Sequence, residues 1–303
     1  LKASDAISNR RAPSAGPGAR TASSSSTDRH FHLDGPSRPI DGRIHAWRSD
    51  LADIGLAGRI FAPHYARPLI RGCGAHATAV RARPGAEGEP ISELLPGEAF
   101  AVLEYAGGWA WGFCAADHVV GYVEAIALTD PVEPTHVVCE TRAPVAPDDG
   151  IASPVIATLP MGSQLHGREC GACLATEYGC VPLSHLRRIE DHEADPVVVA
   201  ERLIGAPHRP GGRTDRGIDA AALVQLALSL CGLPAPRLLD QLAGFGAPVP
   251  ERAPSRRCDL VLFEGGAGLM VDDLMMIHAS DAAGKVAVEP ASLRSVDRRR
   301  LPV

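Results

Sequence analysis

Hydrophobic spacing divides the chain into stretches of different period. From about residue 73 to 190, short runs of alternating or β-branched residues are broken by Pro and Gly turns, the pattern of half-buried strands. Ala99–Leu103, Trp109–Cys114 and Val119–Val123 are three such runs. A weak repeat passes through this stretch. One copy reads Pro90-Ile91, Leu94-Leu95-Pro96-Gly97, Gly107-Gly108-Trp109 and Gly121-Tyr122-Val123. The other reads Pro154-Val155, Leu159-Pro160-Met161-Gly162, Gly171 and Gly179-Cys180-Val181. Each copy spans roughly 55 residues, the size of one small barrel closed by turns.

Beyond residue 195 the period lengthens. Pro196–Ile204 predicts an apolar helix stopped by Gly205. Asp219 is a favourable N-cap for a second helix with Leu223, Val224, Ala227, Leu230 and Cys231 on one face, ended by Gly232 and Pro234. Strands are expected at Asp259–Phe263, Ala267–Val271, Met275–His278 and Lys285–Val288, the first two around Gly265-Gly266. A helix followed by an antiparallel sheet is an α+β arrangement. Ahead of the barrels, residues 1–40 are rich in Ser, Pro, Gly, Ala and Arg and read as a disordered tail. Residues 41–72 read as a docking arm, clamped through Leu51, Ile54, Leu56 and Ile60 with Trp47 and Phe61. The expected organisation is a tail (1–40), an arm (41–72), two small barrels (73–130 and 131–190) and an α+β domain (195–303).

Composition narrows the function classes. The 303 residues are 45% apolar with a formal net charge of −6, which describes a soluble globular chain and opposes contacts to nucleic-acid phosphates. No run approaches the ~18 apolar residues of a membrane span. The polar, Ser-rich start lacks an apolar signal core, so a cytoplasmic location is expected. The eight cysteines are irregularly spaced and read as mostly reduced. Cys170-Gly-Ala-Cys173 is a CxxC pair with Cys180 seven residues on, but no second pair completes a zinc site. We read these cysteines as small apolar residues in a strand and turn, and expect no metal. Gly211-Gly212-Arg213 lacks the strand and GK signature of a phosphate cradle. Asp272-Asp273 is followed by apolar residues and reads as a hairpin turn rather than a calcium loop. Arg298-Arg299-Arg300 reads as a solvated C-terminal face.

The stretch from Gly211 through Gly217-Ile218-Asp219-Ala220-Ala221-Ala222-Leu223-Val224-Gln225 resembles the active-site helix entry of the NlpC/P60 cell-wall cysteine peptidases. The resemblance continues through Asp259-Leu260-Val261, Gly268-Leu269-Met270-Val271 and Ile277-His278-Ala279-Ser280, covering about Pro196 to Arg300. The tandem repeat before it resembles bacterial SH3 domains. Together they imply two small SH3-like β-barrels followed by a papain-like α+β domain.

Papain-like chemistry needs a Cys at a helix N-terminus, where the dipole favours the thiolate. It also needs a His on the facing sheet to share the proton, and a third polar residue to orient that His. By the resemblance the nucleophile position is Ala220, where the family reads Asp-Cys-Ser-Gly-Leu-Val. The base position is Gly266, and His278 matches the third polar position. The family's Tyr and Trp before the Gly-Gly pair are His208 and Pro210 here. His208, Asp219 and Ala221 are expected to line the substrate groove. Trp109 and Trp111 of the first barrel are candidates for the same groove, or else, with Tyr122, for barrel core.

A methyl and a hydrogen replace a thiolate and an imidazole, and triad members act as a unit. The expectation is a catalytically impaired homologue that binds murein stem peptides or a protein partner, with no cofactor. Two alternatives stand beside it. One is an active cysteine hydrolase cleaving γ-D-glutamyl–diamino acid bonds through a displaced thiol, with Cys258 and a His as the pair. Cys231 lies about 16 Å along the helix from Ala220, too far to serve. The other is an interaction protein built on the SH3-like units.

Overall fold

A computed structural model describes residues 40–87, 90–150, 153–293 and 297–302. The tail expected over residues 1–40 lies outside the described residues as far as Pro39.

The period-2 texture after the arm folds into a five-stranded antiparallel sheet. Its strand order is Val120–Glu124, Trp109–Cys114, Ala99–Ala106, Leu69–Cys73, Leu128–Thr129. A two-stranded ladder of Thr78–Val80 with Ser92–Leu94 accompanies it. Inward positions of these strands meet in a core of Cys73, Val80, Leu94, Phe100, Val102, Ala110 and Val123. The sheet takes Leu69–Cys73 from the segment read as arm, because this strand pairs on both sides with barrel strands.

The second stretch builds a separate core of Val138, Ala143, Val145, Leu159, Leu165, Leu174 and Val181. Three small sheets surround it: Gln164–Leu165, His136–Val138 and Leu186–Arg188; Arg142–Val145 with Ala157–Pro160; and Arg168–Cys170, Cys173–Thr176 and Gly179–Pro182. Gly97 marks where the five-stranded part touches this unit. Its φ is +78°, and a Cβ there would lie 1.9 Å from the Gln164 carbonyl oxygen, so only glycine fits. Gln164 N donates to Pro96 O at 2.8 Å across the same contact.

The C-terminal part is α+β. Helix α1 (Pro196–Glu201) is shorter than the predicted Pro196–Ile204, since the last turn before Gly205 is not α-helical. Helix α2 (Ala220–Leu230) starts after Asp219, whose carboxylate accepts from Ala222 N. Ten of its eleven residues are buried, matching its near-absence of polar residues. It packs on α1 and on a six-stranded antiparallel sheet. The sheet order is Ala247–Pro248, Asp297–Arg300, Leu260–Phe263, Gly266–Met270, Met275–Ser280, Lys285–Pro290. A short helix α3 (Leu239–Leu242) follows α2.

Two surface expectations are corrected. Arg298–Arg300 is not a solvated face but part of the Asp297–Arg300 strand. Arg298 donates to the carbonyls of Pro250, Glu251 and Ala253, and Arg300 holds Asp259 with bonds of 2.8 and 2.9 Å. Of the expected clamp residues Leu56 is buried, with Ala46, Ala52 and Ala62 beside it in the segment, whereas Trp47, Ile54 and Phe61 are exposed. Charged pairs accompany this burial. Arg43 bridges Asp41 and Asp240, and Arg48 reaches Glu104 at 2.7 Å. Asp272 forms the expected hairpin turn, accepting from Leu274 N and Met275 N at 2.8 Å. Among the described residues no helix is long and apolar enough to cross a membrane.

Candidate functional site

The N-terminus of α2 is where a papain-like nucleophile would sit, with the strands Gly266–Met270 and Met275–Ser280 packed on the same helix. The side chains there are apolar. Ala220 and Ala221 are each only 6% exposed and join a cluster with Leu262, Ala267, Leu269, Ile277 and Ala279. Ala221, expected to line the groove, has its methyl in this buried cluster.

Asp219 is committed as well. Besides capping α2, it accepts from Gly211 N at 2.9 Å. Arg237 holds it with two bonds, Nη1 to Oδ1 at 3.0 Å and Nη2 to Oδ2 at 2.7 Å. Arg237 is 3% exposed and its Nε reaches Ser92 Oγ of the first barrel at 3.1 Å. A bidentate, fully desolvated guanidinium at a helix start stabilises the Asp219 carboxylate and consumes its acceptor capacity. Gly211 has φ +72°, and a Cβ there would lie 1.9 Å from Pro90 O, so the Gly-Gly turn is pressed against the barrel backbone.

The Gly266 position is occupied by a neighbour. Gly266 faces Phe263 across a hairpin, and a Cβ on it would lie 2.2 Å from Phe263 Cε2. The Phe263 ring stands edge-on to His278, centroids 5.4 Å apart at 88°. His278 is 1% exposed, and its Nε2 lies 2.9 Å from Glu289 Oε2. A carboxylate only accepts, so Nε2 carries the proton. Ser280 Oγ donates to the same carboxylate. His278 Nδ1 is buried and has no hydrogen-bond partner among the described residues. It is the one ring nitrogen that could have served an adjacent imidazole, and the phenyl ring of Phe263 stands beside the imidazole instead.

The remaining candidates lie elsewhere. His208 bridges Ile218, its N donates to Gly284 O at 2.9 Å, and its Nδ1 is 3.7 Å from Asp281 Oδ1. Its Nδ1 thus approaches the Asp281–Gly284 turn. Trp111 is 3% exposed and covered by the Arg48 guanidinium, 4.2 Å from the ring centroid, so it lines no open groove. Trp109 is half-buried at the end of the same strand. Cys258 donates to Asp195 Oδ1 at 3.3 Å, not to a His. Burial, with the Asp195 carboxylate beside it, pushes that thiol up to about 12.

The residues most responsible for this geometry were not predicted. Arg237 and Phe263 carry no motif that marks them. Nor does a buried network behind the Gly-Gly turn. Arg213 holds Glu98 with bonds of 2.7 and 2.9 Å and donates to Glu93 O at 2.7 Å. Glu93 also accepts from Arg213 N at 2.7 Å and pairs with Arg209. Partners so far apart in the chain leave no local signature.

Residues 80–128 match the family described as the bacterial dipeptidyl-peptidase Sh3 domain. The chain is homologous to dipeptidyl-peptidase 6 of Lysinibacillus sphaericus, 27% identical over 236 residues, which is 68% of this chain and 86% of that protein. Among solved structures it is similar to an NlpC/P60 family protein from Bacillus cereus ATCC 10987. That match has a TM-score of 0.66 at 15% identity and covers 77% of this chain and all of that one.

Proposed function

We propose that this chain, with its NlpC/P60 fold and a bacterial SH3 domain, is a homologue of the murein-peptide endopeptidases that has lost hydrolysis and retains binding. Its ligand is a murein stem peptide or a protein partner. One observation carries the reading: the nucleophile and base positions are both taken by groups that pack, while the third polar position keeps His278. A methyl in the core stands at Ala220, the Phe263 ring covers Gly266, and Arg237 occupies the Asp219 carboxylate. Nucleophile and base are the pair that thiolate chemistry needs first. Their coordinated replacement supports loss of the reaction rather than relocation of one group.

The homology to a dipeptidyl-peptidase supports a peptide ligand. We read the unit over 136–188 as a second SH3-like barrel, on its separate core and the repeat it shares with the first. The displaced-thiol reading is disfavoured by Cys258, whose partner is a carboxylate that opposes the thiolate. A purely SH3-based interaction role loses Trp111 as a groove residue and keeps the half-buried Trp109.

The test uses a γ-D-glutamyl–diamino acid peptide of the stem. Calorimetry is expected to register binding, while chromatography of the same mixture after prolonged incubation returns the peptide intact. Steady cleavage that persists through repurification and disappears on thiol alkylation would establish the displaced-thiol enzyme instead. Neither binding nor cleavage would leave the SH3-based role.

A further inference from the structure

A cleft of about 310 Å³ lies where the five-stranded part, the second unit and the C-terminal part meet. Its lining includes none of Asp219, Ala220, Gly266 or His278, so it is separate from the vacated centre. Short local patterns build it. In the second unit Arg142 pairs with Pro160 and Pro144 with Thr158 across one antiparallel ladder. Strand side chains alternate with period 2, so Arg142 and Thr158 share the face that meets the cleft. The C-terminal part contributes the tight hairpin of Arg213–Thr214 with Gly217–Ile218, whose turn carries Asp215 and Arg216. Arg209 runs alongside, its N donating to Ile218 O at 3.1 Å. A Cβ on Gly217 would lie 2.5 Å from Arg209 Nε, so glycine there lets the Arg209 side chain cross the hairpin.

Three arginines and two carboxylates line this cleft, and burial separates them by sign. The side chains of Glu93 and Asp215 are nine-tenths or more covered, whereas their partners Arg209 and Arg142 are about half exposed. Among the described residues the Arg142 guanidinium donates only through Nε, to Asp215, and that of Arg209 only through Nη2, to Glu93. The other N–H groups of both guanidiniums remain available. Arg216 is exposed, and its side chain has no hydrogen bond or ion pair among the described residues. Covered carboxylates thus hold two guanidiniums at the cleft without exhausting their donors, and a third brings an unopposed positive charge. The planar fork of a guanidinium matches a carboxylate.

We propose that this cleft binds a carboxylate group of a peptide, with Arg142, Arg209 and Arg216 as its donors. The proposal rests on the reading that the chain binds a stem peptide, and it names the group recognised and the place. A γ-linked glutamyl residue keeps its α-carboxylate free, and a C-terminal diamino acid ends in a second. Such a peptide therefore carries two planar oxyanions. The cleft volume is at the low end of small-ligand sites, so it receives one end of the peptide rather than its whole length.

The experiment is calorimetry of the full chain with γ-D-glutamyl-L-lysine and with the same dipeptide amidated at both carboxyl groups. The free acid is expected to bind, more weakly as salt is raised, and the amide is not. Arg216→Gln removes a guanidinium that holds nothing else in place. It should weaken binding about fivefold, the scale of an exposed charge pair. Thr158→Glu, which adds a negative charge at an exposed strand position, should weaken binding at least as much. Arg59→Gln, on the exposed arm outside the cleft, should bind as the parent does. A urea midpoint equal to the parent's shows that each variant is folded. Binding unchanged in both Arg216→Gln and Thr158→Glu would overturn this placement and leave the peptide reading standing. So would an equal loss in Arg59→Gln, the mark of unspecific attraction. Equal binding of the amide, or full displacement of the dipeptide by equimolar inorganic phosphate, would overturn the carboxylate assignment. A parent protein that binds neither dipeptide would overturn both the placement and the peptide reading.

Discussion

Gly266 and Phe263 share a single volume, and only one of them can fill it. With glycine at 266 the Phe263 ring lies over the strand and against His278. Any side chain at 266 must displace that ring, since a Cβ would approach it to 2.2 Å. Gly266→Ala is therefore expected to destabilise the protein by about 1–3 kcal/mol, the usual cost of overpacking. Phe263→Ala should remove most of that added cost, so the double-mutant cycle in urea unfolding should show strong positive coupling between the two sites. Additive effects would mean that the ring does not occupy the position. The same steric fact bears on restoration of activity. Ala220→Cys with Gly266→His returns both reacting groups but also forces the ring out and leaves Arg237 on Asp219. Peptide hydrolysis by that double variant is expected to stay at background in a chromatographic assay.

At the scale of elements, a shared electrostatic device fastens the C-terminal part: buried or partly buried carboxylates held by arginines at element ends. Asp195 caps α1 through Val197 N at 2.8 Å and pairs with Arg257. Glu193 accepts from Arg187 and Arg202. Asp259, at the start of the Leu260–Phe263 strand, is held by Arg300. Burial alone would raise each of these carboxyls, but the arginine hydrogen bonds outweigh it, and all three lie below their ordinary values of 3.8 to 4.5. A folded-state pKa below the unfolded one gives stability that is present above the unfolded value and lost as pH falls through the folded one. The urea midpoint should be flat from neutral pH to about pH 5 and fall steeply below about pH 4. Asp259→Asn should lower the midpoint at pH 7 and shallow the acid slope. An acid slope unchanged by that substitution would assign the effect to other groups.

Elements of this kind were largely legible in the chain. The N-cap at Asp219, the apolar run of α2 and the hairpin around Gly265-Gly266 are local patterns, and local patterns survive folding. Boundaries moved where tertiary pairing extends a strand, as when Met275–His278 runs on to Ser280 against the Lys285–Pro290 strand. The vacant positions Ala220 and Gly266 could be read as absences. What fills them could not. Phe263 looks like any strand aromatic until the hairpin register sets it opposite Gly266, and Arg237 gains meaning only when the chain returns to Asp219. The exposure of Trp47 and Phe61 was misjudged because apolar character gives no direction.

For the whole molecule, residues 40–303 form one compact unit, and the joins within it are polar and buried. Arg213 and Glu98 are 6% and 8% exposed, and they tie the Gly-Gly turn of the C-terminal part to the first barrel. Gln225 of α2 reaches Asp117 of the barrel at 2.9 Å. Thr141 Oγ1 donates to Arg202 O and Arg202 Nη1 donates to Cys139 O, both at 2.8 Å, which joins the second unit to the end of α1. Removing one member of a buried pair strands the other charge, at a cost of about 3–5 kcal/mol. Arg213→Met should therefore cost several times more than an exposed Arg→Met change, because it orphans Glu98 and takes a cation from Glu93. It should also alter how the protein unfolds. Trp109 and Trp111 report on the first barrel, while far-UV circular dichroism also sees α2. In the parent protein the two urea transitions should coincide, the signature of one cooperative unit. In Arg213→Met the tryptophan transition should separate from the circular dichroism transition, because the barrel keeps its own apolar core after losing its tie. Coincident transitions with an unchanged midpoint in the variant would show that the barrel is held by its apolar contacts alone.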